Sequence, residues 1–461
     1  MASRTSIAIL VTALALAACS GSRGASTTSP TTTPPATTVT TIPATTSSLP
    51  EGLIVPSQCE GVPITTIPPG EITTTTVVTA ELDADDQRRL VDSFDEHVRE
   101  VYFDPDLAAI PWEEAIAALQ ADVDSGISTD SLYERLDALL ESLGDEHSRF
   151  ETPQQVALSD EIFAGENDYV GIGILALGVP EEGLISIISV LPDSPAAAAG
   201  LEPHDSIVAV DGIPLGDEPG IGSSRLRGPE CTIVEFTMRS PDGSERMITT
   251  LRARVQGNLP IQTALVPDPE GRRIAYLLLP TFADATIDDQ VRDALEDLGP
   301  LDGVILDLRT NGGGSSQVAE PIMSLFVSGT LGEYSSRDGD RDLVIDGDPI
   351  HNSATVPLAV LVGEHTESYG EIVAGILGER EGTIVVGETT VGNVETLHGF
   401  AMPGGSMLWI AAEVFRPAGN PDADWERDGI VPDVIVPTDW EDITLDTDPA
   451  VAAAAAALFG G

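Results

Sequence analysis

Apolar positions between residues 81 and 150 repeat with the spacing of amphipathic helices. One face of a first helix carries residues at intervals of four and three: Leu90, Phe94, Val98 and Val101. The same periodicity predicts a second helix over Trp112–Val123 and a third over Ser131–Leu143, after which Gly144 stands as a C-terminal cap. We therefore predict an N-terminal helical domain over residues 81–150.

The pattern changes over residues 168–255 to short β-rich runs separated by turns. Strands are predicted over Ile185–Val190, Ile207–Val210 and Ile233–Met238. An Ala-rich stretch, Ser194–Gly200, predicts a short helix between the first two of these strands. These features indicate a separate β domain.

Residues 256–440 alternate apolar strands with amphipathic helices, which is typical of an α/β core. The predicted strands are Ile274–Leu279, Gly303–Leu308, Leu358–Val362 and Thr383–Val386. The predicted helices are Asp288–Leu298, Gln317–Phe326 and Tyr369–Leu377. Residues 441–461 are expected to form a C-terminal tail. The fold class is thus α/β and multidomain.

The first nineteen residues have the pattern of an export signal: Arg4, then the apolar run Ile7–Ala18. The ending Leu16-Ala17-Ala18-Cys19 resembles the bacterial lipobox, in which the cysteine becomes the lipidated N-terminus. The alternative is an ordinary secretory signal in which Cys19 has no role. Residues 20–80, rich in Ser, Thr and Pro, are predicted to be a tether, with an irregular strand allowed beyond residue 50.

The charge of the chain argues against one class of partner. The formal net charge is −53, and all 22 basic residues are arginines, because the chain contains no lysine. Such a surface repels nucleic acid and anionic lipid headgroups, so a nucleic-acid partner is not expected. Membrane contact is expected through the lipid anchor alone, with the folded part in the cell envelope outside the cytoplasm.

Two further cysteines, Cys59 and Cys231, lie in the exported part of the chain. An oxidising compartment allows them to pair, but the sequence does not show that they meet, and we expect them to be unpaired. Neither His-Glu-x-x-His nor Cys-x-x-Cys is present, so neither a metal nor another cofactor is expected.

Two strand-to-helix junctions carry candidate chemistry. Gly312, Gly313 and Gly314 follow a buried strand and precede a helix, where exposed N–H groups make an oxyanion site. Ser368 stands where the strand Leu358–Val362 gives way to the next helix, a position from which a hydroxyl can act as a nucleophile. Taken alone, the first junction also fits a tight turn, and Ser368 also fits an ordinary N-cap.

The two junctions together resemble the C-terminal-processing (tail-specific) peptidases and their tricorn-core relatives, over residues ~85–438. The motifs that carry the resemblance are Asp307-Leu308-Arg309-x-Asn311-x-Gly313-Gly314, Ser368-x-x-Glu371-Ile372, Val385-Val386-Gly387-Glu388-Thr389-Thr390-x-Gly392 and Gly429-Ile430-x-Pro432-Asp433. The resemblance implies a crotonase-like β/α core, with Ser368 as nucleophile. It also implies oxyanion donors at Gly313 and at the amide of Tyr369.

The base departs from the commoner pattern of this family. The C-terminal-processing branch has a lysine and a glutamine where this chain has Asn393 and Leu397. The tricorn-type branch instead implies His147 as base, with Glu426 as the accompanying acid. His147 can also be a structural remnant, because lysine-type members often carry a histidine there. His365 is a further candidate base.

The β domain resembles a PDZ domain of the bacterial protease type. The motifs are Tyr169-Val170-Gly171-Ile172-Gly173-Ile174, Ser194-Pro195-Ala196, Ala199-Gly200-Leu201, Asp205-Ser206-Ile207 and Val210-Asp211-Gly212. The resemblance implies that the loop Gly171, Ile172, Gly173 and Ile174 binds the C-terminal segment of a peptide. A PDZ fold used only for regulation or packing is the alternative.

These observations predict a serine endopeptidase that captures protein or peptide substrates by their exposed C-termini and cleaves them with Ser368 and His147. A second hypothesis follows from the missing lysine. On that hypothesis the chain is a catalytically inactive lipoprotein that binds peptides or a small ligand on the same fold.

Overall fold

The computed structural model describes residues 53–66, 81–145, 147–156, 169–180, 182–216, 226–255 and 258–460. The predicted signal sequence with Cys19, and the tether over residues 20–52 and 67–80, lie outside these ranges. Within the described ranges, none of the helices is both long and apolar enough to cross a membrane.

Three helices form the N-terminal part, as predicted: α1 (Ala84–Val101), α2 (Trp112–Asp124) and α3 (Thr129–Glu141). Asp83 caps α1 because its side chain accepts hydrogen bonds from the amides of Asp85 and Asp86. The buried face of α1 includes the predicted residues Leu90, Phe94 and Val98. These side chains pack with α2 and α3 in one apolar cluster.

The segment before α1 is tied to the body of the molecule. Its strand β1 (Thr65–Thr66) pairs with a strand of the β domain, and Cys59 forms a disulfide with Cys231 across a Cα separation of 5.5 Å. The expectation of unpaired cysteines was therefore wrong. Residues 53–66 also do not belong to a free tether, because they pack along the sheet beside Leu251 and Ala253.

The β domain is an eight-stranded sheet. Between the helical part and this domain lies β2 (Arg149–Glu151), which joins another sheet described below. The strands are β3 (Tyr169–Gly171), β4 (Ile174–Val179), β5 (Leu184–Val190), β6 (Ser206–Val210), β7 (Ile213–Pro214), β8 (Thr232–Arg239) and β9 (Glu245–Val255), with the helix α4 (Pro195–Ala199). Six of them run in the order β3-β9-β8-β6-β5-β4, while β7 pairs with β6 and β1 with β8. The three strands and the helix predicted here are confirmed.

Between residues 258 and 460 the structure has ten strands and five α-helices. The strands are β10 (Gln262–Val266), β11 (Ile274–Leu278), β12 (Gly303–Asp307), β13 (Gly329–Ser336), β14 (Gly339–Ile345), β15 (Leu358–Val362), β16 (Thr383–Gly387), β17 (Thr396–Ala401), β18 (Met407–Pro417) and β19 (Val434–Ile435). The helices are α5 (Ile287–Leu298), α6 (Ser316–Ser324), α7 (Tyr369–Gly378), α8 (Trp425–Asp428) and α9 (Pro449–Ala457). The four strands and three helices predicted in this region are confirmed.

A six-stranded sheet in the order β10-β11-β12-β15-β16-β19 forms the centre of this region. In this sheet, neighbouring strands run parallel from β11 to β12, β15, β16 and β19, and β10 is antiparallel to β11. Because β12 and β15 are parallel neighbours, with Asp307 beside Leu361, their carboxyl ends lie side by side. The loops that follow these two strands carry the two candidate junctions.

Each face of this sheet is covered. Alternate residues of β11, β12 and β15 pack against α5, α6 and α7 on one face. The other face packs against α9 and against Leu177 and Ile188 of the β domain. The tail expected over residues 441–461 thus contains a helix that belongs to the core, joined to it by the ion pair between Asp448 and Arg309 at 2.5 Å.

A five-stranded sheet in the order β14-β13-β18-β17, with β2 paired to β18, links the helical part to the core. Its residues Leu397, Leu408 and Ile410 pack into the cluster formed by α1, α2 and α3. Through the pairing of β2 with β18, the end of the helical part lies against a long strand of the C-terminal region. This sheet therefore positions the turn that contains His147.

Candidate active site

Ser368 is the residue at which the loop after β15 becomes α7. Its backbone angles are φ 55° and ψ −126°, a combination that costs a non-glycine residue free energy. The loop is held by Thr366, whose hydroxyl donates to the carbonyl of Leu308 at 2.8 Å and accepts from the amide of Gly363 at 3.0 Å. Strain that is fixed in this way is common at catalytic residues.

Gly313 lies against Ser368. A Cβ atom at position 313 would lie 2.8 Å from the Cβ of Ser368 and 3.0 Å from the amide nitrogen of Tyr369. The N–H of Gly313 donates to Oδ1 of Asn311 at 2.9 Å in this state. Tyr369 is the first residue of α7, so its N–H has no acceptor within the helix. Two backbone N–H groups thus lie beside the serine, and one of them must exchange its partner to hold an oxyanion.

His147 is held by a turn built on Asp145. The carboxylate of Asp145 accepts from the amides of His147 and Ser148, at 2.9 and 2.6 Å, and from the hydroxyl of Ser148 at 2.8 Å. The Ser148 hydroxyl accepts in turn from the amide of Ala411 in β18, at 3.0 Å. These contacts attach the histidine to the five-stranded sheet and fix its backbone.

The imidazole of His147 is buried between two carboxyl groups. Its Nε2 lies 3.9 Å from Oε1 of Glu367, the residue before Ser368, and its Nδ1 lies 3.4 Å from Oε2 of Glu395. Among the described residues, neither ring nitrogen has a hydrogen-bond partner. Burial, helped by the positive charge of Arg149, lowers the pKa of His147 to about 3. The ring is therefore neutral at physiological pH and carries one free lone pair, as a general base must.

Asn393 occupies the position where the lysine-type pattern has its base. Its side-chain amide donates to Oε1 of Glu367 at 2.8 Å. Its backbone N–H and that of Gly392 donate to the buried carboxyl of Glu371, each at 2.8 Å. Burial raises the pKa of Glu371 to about 7. An amide in these contacts is a hydrogen-bond donor, and it does not accept a proton.

Glu426 contacts this loop at two neighbouring residues, Val394 and Glu395. Its Oε2 accepts from the amide of Val394 at 2.7 Å, and its carboxyl group is hydrogen-bonded to that of Glu395. Burial and the Glu426 carboxyl raise the pKa of Glu395 well above its usual value, and burial also raises that of Glu426. The raised pKa values favour a protonated carboxyl group in this pair at neutral pH. Of these two glutamates, Glu395 is the one that faces His147, and the sequence motifs did not indicate it.

The remaining sequence-predicted residues have contacts of their own. Nε2 of His365 lies 3.6 Å from Oε1 of its neighbour Glu364. Leu397 is buried in β17 among the side chains of the helical part. The residues proposed for peptide binding form the turn between β3 and β4, where the carbonyl of Ile172 accepts from Ala196 at 2.8 Å. Gly173 has a φ of +85°, and a Cβ there would lie 2.3 Å from that of Ser194.

The chain is similar to known peptidases. Peptidase family S41 matches residues 273–436. The chain is 31% identical to a carboxyl-terminal-processing protease of Picosynechococcus sp. over 317 residues, which cover 67% of this chain and 73% of that protein. It is 30% identical to the corresponding protease of Synechocystis sp. over 340 residues, covering 71% and 77%.

The fold agrees as well. The structure of a photosystem II D1 C-terminal processing protease matches 80% of this chain and 96% of that one, with a TM-score of 0.55 and 22% identity. At that identity the match shows a shared mixed α/β fold. The two relatives at 30% identity or more, covered over two thirds of their length, show the family. The chain therefore belongs to the carboxyl-terminal-processing proteases of peptidase family S41, and it is a serine-type peptidase.

Proposed function

We propose that the protein is an endopeptidase in which Ser368 is the nucleophile and His147 the general base. The observation that carries this proposal is the neutral, buried imidazole whose Nε2 faces Glu367, the residue directly before Ser368. The position of the lysine-type base holds Asn393 and the chain contains no lysine. The base must therefore come from a different element, and the turn before β2 supplies it.

In this mechanism the Ser368 hydroxyl attacks the scissile carbonyl while its proton passes to Nε2 of His147. The N–H groups of Tyr369 and Gly313 donate to the oxyanion, and Gly313 then releases Oδ1 of Asn311. The protonated His147 gives its proton to the leaving amine, which departs and leaves an acyl-enzyme. Water, deprotonated by His147, attacks the acyl carbon and releases Ser368 with its proton restored. Glu426 acts behind this pair through Glu395.

The test is cleavage of an unstructured protein by the parent and by Ser368→Ala. Ser128→Ala is the matched control, because Ser128 caps α3 by accepting from the amide of Ser131 and lies on a different element. We expect the parent and Ser128→Ala to cut and Ser368→Ala to be inactive. Cleavage by Ser368→Ala at the parent rate would reject the nucleophile.

A PDZ-type capture of substrate C-termini forms part of the proposal. Strand β4 ends its sheet within the described residues, and the Gly171–Ile174 turn leads directly into it. An extended peptide can add to such a strand while its carboxylate meets the amides of the turn. The test uses a fluorescent peptide with a free or an amidated C-terminus, bound to Ser368→Ala. We expect tighter binding of the free acid, and equal binding would reject carboxylate capture.

The proposed location is the cell envelope, with Cys19 carrying the lipid anchor. The Cys59–Cys231 disulfide supports export, because disulfides persist in oxidising compartments. In cells, Cys19→Ser should move the protein from the membrane fraction to the soluble extracytoplasmic fraction. Retention of Cys19→Ser in the membrane fraction would reject lipid anchoring at this residue.

An inactive, peptide- or ligand-binding role is the second candidate. Two observations favour it: Asn393 replaces the lysine, and Asn311 occupies the Gly313 N–H in this state. The cleavage experiment separates the two functions. Equal absence of cleavage in the parent and in Ser368→Ala, with peptide binding retained, would establish the binding role.

A further inference from the structure

We propose that Glu395, backed by Glu426, is a positioning residue that holds the proton of neutral His147 on Nδ1. This proposal rests on the proposed role of His147 as the base, because it concerns which ring nitrogen keeps its lone pair. A proton on Nδ1 leaves the lone pair on Nε2, the nitrogen that faces Glu367 beside Ser368.

The first observation is that two buried atoms face each other without other partners. Nδ1 of His147 and Oε2 of Glu395 are 3.4 Å apart, and the two side chains are 5% and 2% exposed. Among the described residues, neither atom has a conventional hydrogen-bond partner. Burying two polar atoms in this way is costly unless they satisfy each other, and catalytic contacts often shorten only when substrate binds.

The second observation is that the loop before Glu395 is rigidly held. The hydroxyl of Thr390 and the amides of Gly392 and Asn393 all donate to the carboxyl of Glu371. The next amide, that of Val394, donates to Glu426. Glu395 therefore directly follows three backbone amides that buried carboxyl groups hold in place, which favours holding an imidazole in one orientation.

The third observation is that the buried carboxyl groups of Glu395 and Glu426 are hydrogen-bonded to each other. Burial and the neighbouring carboxyl raise the pKa of Glu395, so this side chain is a neutral acid that is hydrogen-bonded to Glu426. A neutral carboxyl group still has an acceptor oxygen for the N–H at Nδ1 of His147. Among the described residues, the other charged or titratable groups around the pair and the ring are Asp145, Tyr102, Glu367 and Arg149.

This arrangement differs from a serine-histidine-aspartate triad. In a triad the acid is ionised, and replacing it with its amide selects the wrong tautomer and lowers kcat about 10⁴-fold. A glutamine at position 395 instead reproduces a neutral acid, because its carbonyl accepts from Nδ1–H and its NH₂ donates to Glu426. Glu395→Gln should thus retain function, whereas Glu395→Leu should remove the acceptor at nearly the same volume.

The experiment measures the tautomer of His147 by ¹⁵N NMR of the histidine-labelled protein, and kcat/KM against pH for cleavage of an unstructured protein. The chain has 6 histidines, and His147→Gln identifies the resonance. Glu379→Gln is the matched control. Glu379 is a partly buried glutamate whose pKa is also raised by burial, and it accepts from the amide of Gly419 beyond the end of α7.

We expect the Nδ1–H tautomer and kcat/KM of the same order in the parent, Glu395→Gln and Glu379→Gln. Glu395→Leu should lose the Nδ1–H tautomer and lower kcat/KM by about 10²–10⁴, the usual contribution of a positioned general base. An unchanged tautomer in Glu395→Leu would overturn the proposal, and so would an Nε2–H tautomer in Glu395→Gln. The resonances of the other histidines, compared with those of the parent, show whether Glu395→Leu is folded.

The two readouts separate this proposal from the proposed function. If the parent does not cleave but Glu395 sets the tautomer as described, the peptidase mechanism fails and the positioning role stands. If the parent cleaves and the tautomer of His147 does not change when Glu395 is replaced, the assignment of His147 as base is kept and the positioning role of Glu395 is rejected.

Discussion

Gly313 and Ser368 are in contact across the two loops, so that a Cβ at position 313 would lie 2.8 Å from the Cβ of Ser368. Gly313→Ala should therefore displace the nucleophile and the adjacent oxyanion donor. Loss of one such donor costs about 10²–10³ in kcat, and we expect at least that loss. Gly382→Ala is the control, because Gly382 has a similar φ of +81° but open space around it. Equal kcat values for the two variants would contradict the oxyanion role.

The backbone of Ser368 predicts a gain in stability when activity is removed. Its φ of 55° and ψ of −126° suit glycine, and residues held in such regions cost about 1–3 kcal/mol. Ser368→Gly should raise the free energy of unfolding, whereas Ser368→Ala should not, and both should be inactive. Denaturant unfolding of the two variants measures this difference. A Ser368→Gly protein no more stable than Ser368→Ala would show that the loop is unstrained.

The buried His147 predicts a loss of stability in acid. Its pKa is about 3 in the folded protein and about 6.5 for an unperturbed histidine, so only the unfolded chain binds the proton between these values. Stability therefore falls as pH drops from about 6.5 towards 3, by up to about 1.4 kcal/mol per pH unit. Glu371 has the opposite effect, because its raised pKa lowers stability as pH rises towards 7. This effect is the same in the parent and in a variant of His147.

The measurement compares the free energy of unfolding of the parent and His147→Gln from pH 7 to pH 4. The parent should lose stability relative to the variant as the pH falls. Parallel curves would mean that His147 is protonated as easily in the folded protein as in the unfolded chain.

The Cys59–Cys231 disulfide predicts stabilisation without a catalytic role. It joins residues 172 positions apart and lies in an apolar cluster of the β domain, on elements other than those of the active site. Cys59→Ser/Cys231→Ser should lower the free energy of unfolding by about 2–5 kcal/mol and leave kcat unchanged. Reducing agent should lower the parent to the same value and should not affect the double variant. A double variant with the same free energy of unfolding as the parent would show that the disulfide does not stabilise the fold.

The order of the core elements was predictable because each carries its own local pattern. Leu358–Val362 is a continuous apolar run and was predicted with the bounds that the structure has. Helix α9 was missed because its sequence is mostly alanine, without a polar face, and its partner Arg309 is 139 residues away in sequence. The five-stranded sheet was also missed, since residues such as Thr396 and Arg149 reach it from distant parts of the chain.

The site was predictable where motifs are local and not where they depend on folding. Ser368 and Gly313 each stand at a strand-to-helix junction that the sequence shows. Glu395 has no such signal, because it lies 248 positions after His147 in the sequence and approaches it only in the folded chain. Glu426 was named as the acid, yet its observed contacts are with Glu395 and Val394.

The most direct test of the central claim is the rate at which a fluorophosphonate labels Ser368, mapped by peptide mass spectrometry. We predict labelling of Ser368 in the parent and its loss in His147→Ala, because His147 is the proposed base that takes the proton from the hydroxyl. Labelling at the parent rate in His147→Ala would contradict the Ser368–His147 pair. Absence of labelling in the parent, under conditions where the protein is folded, would contradict an active peptidase.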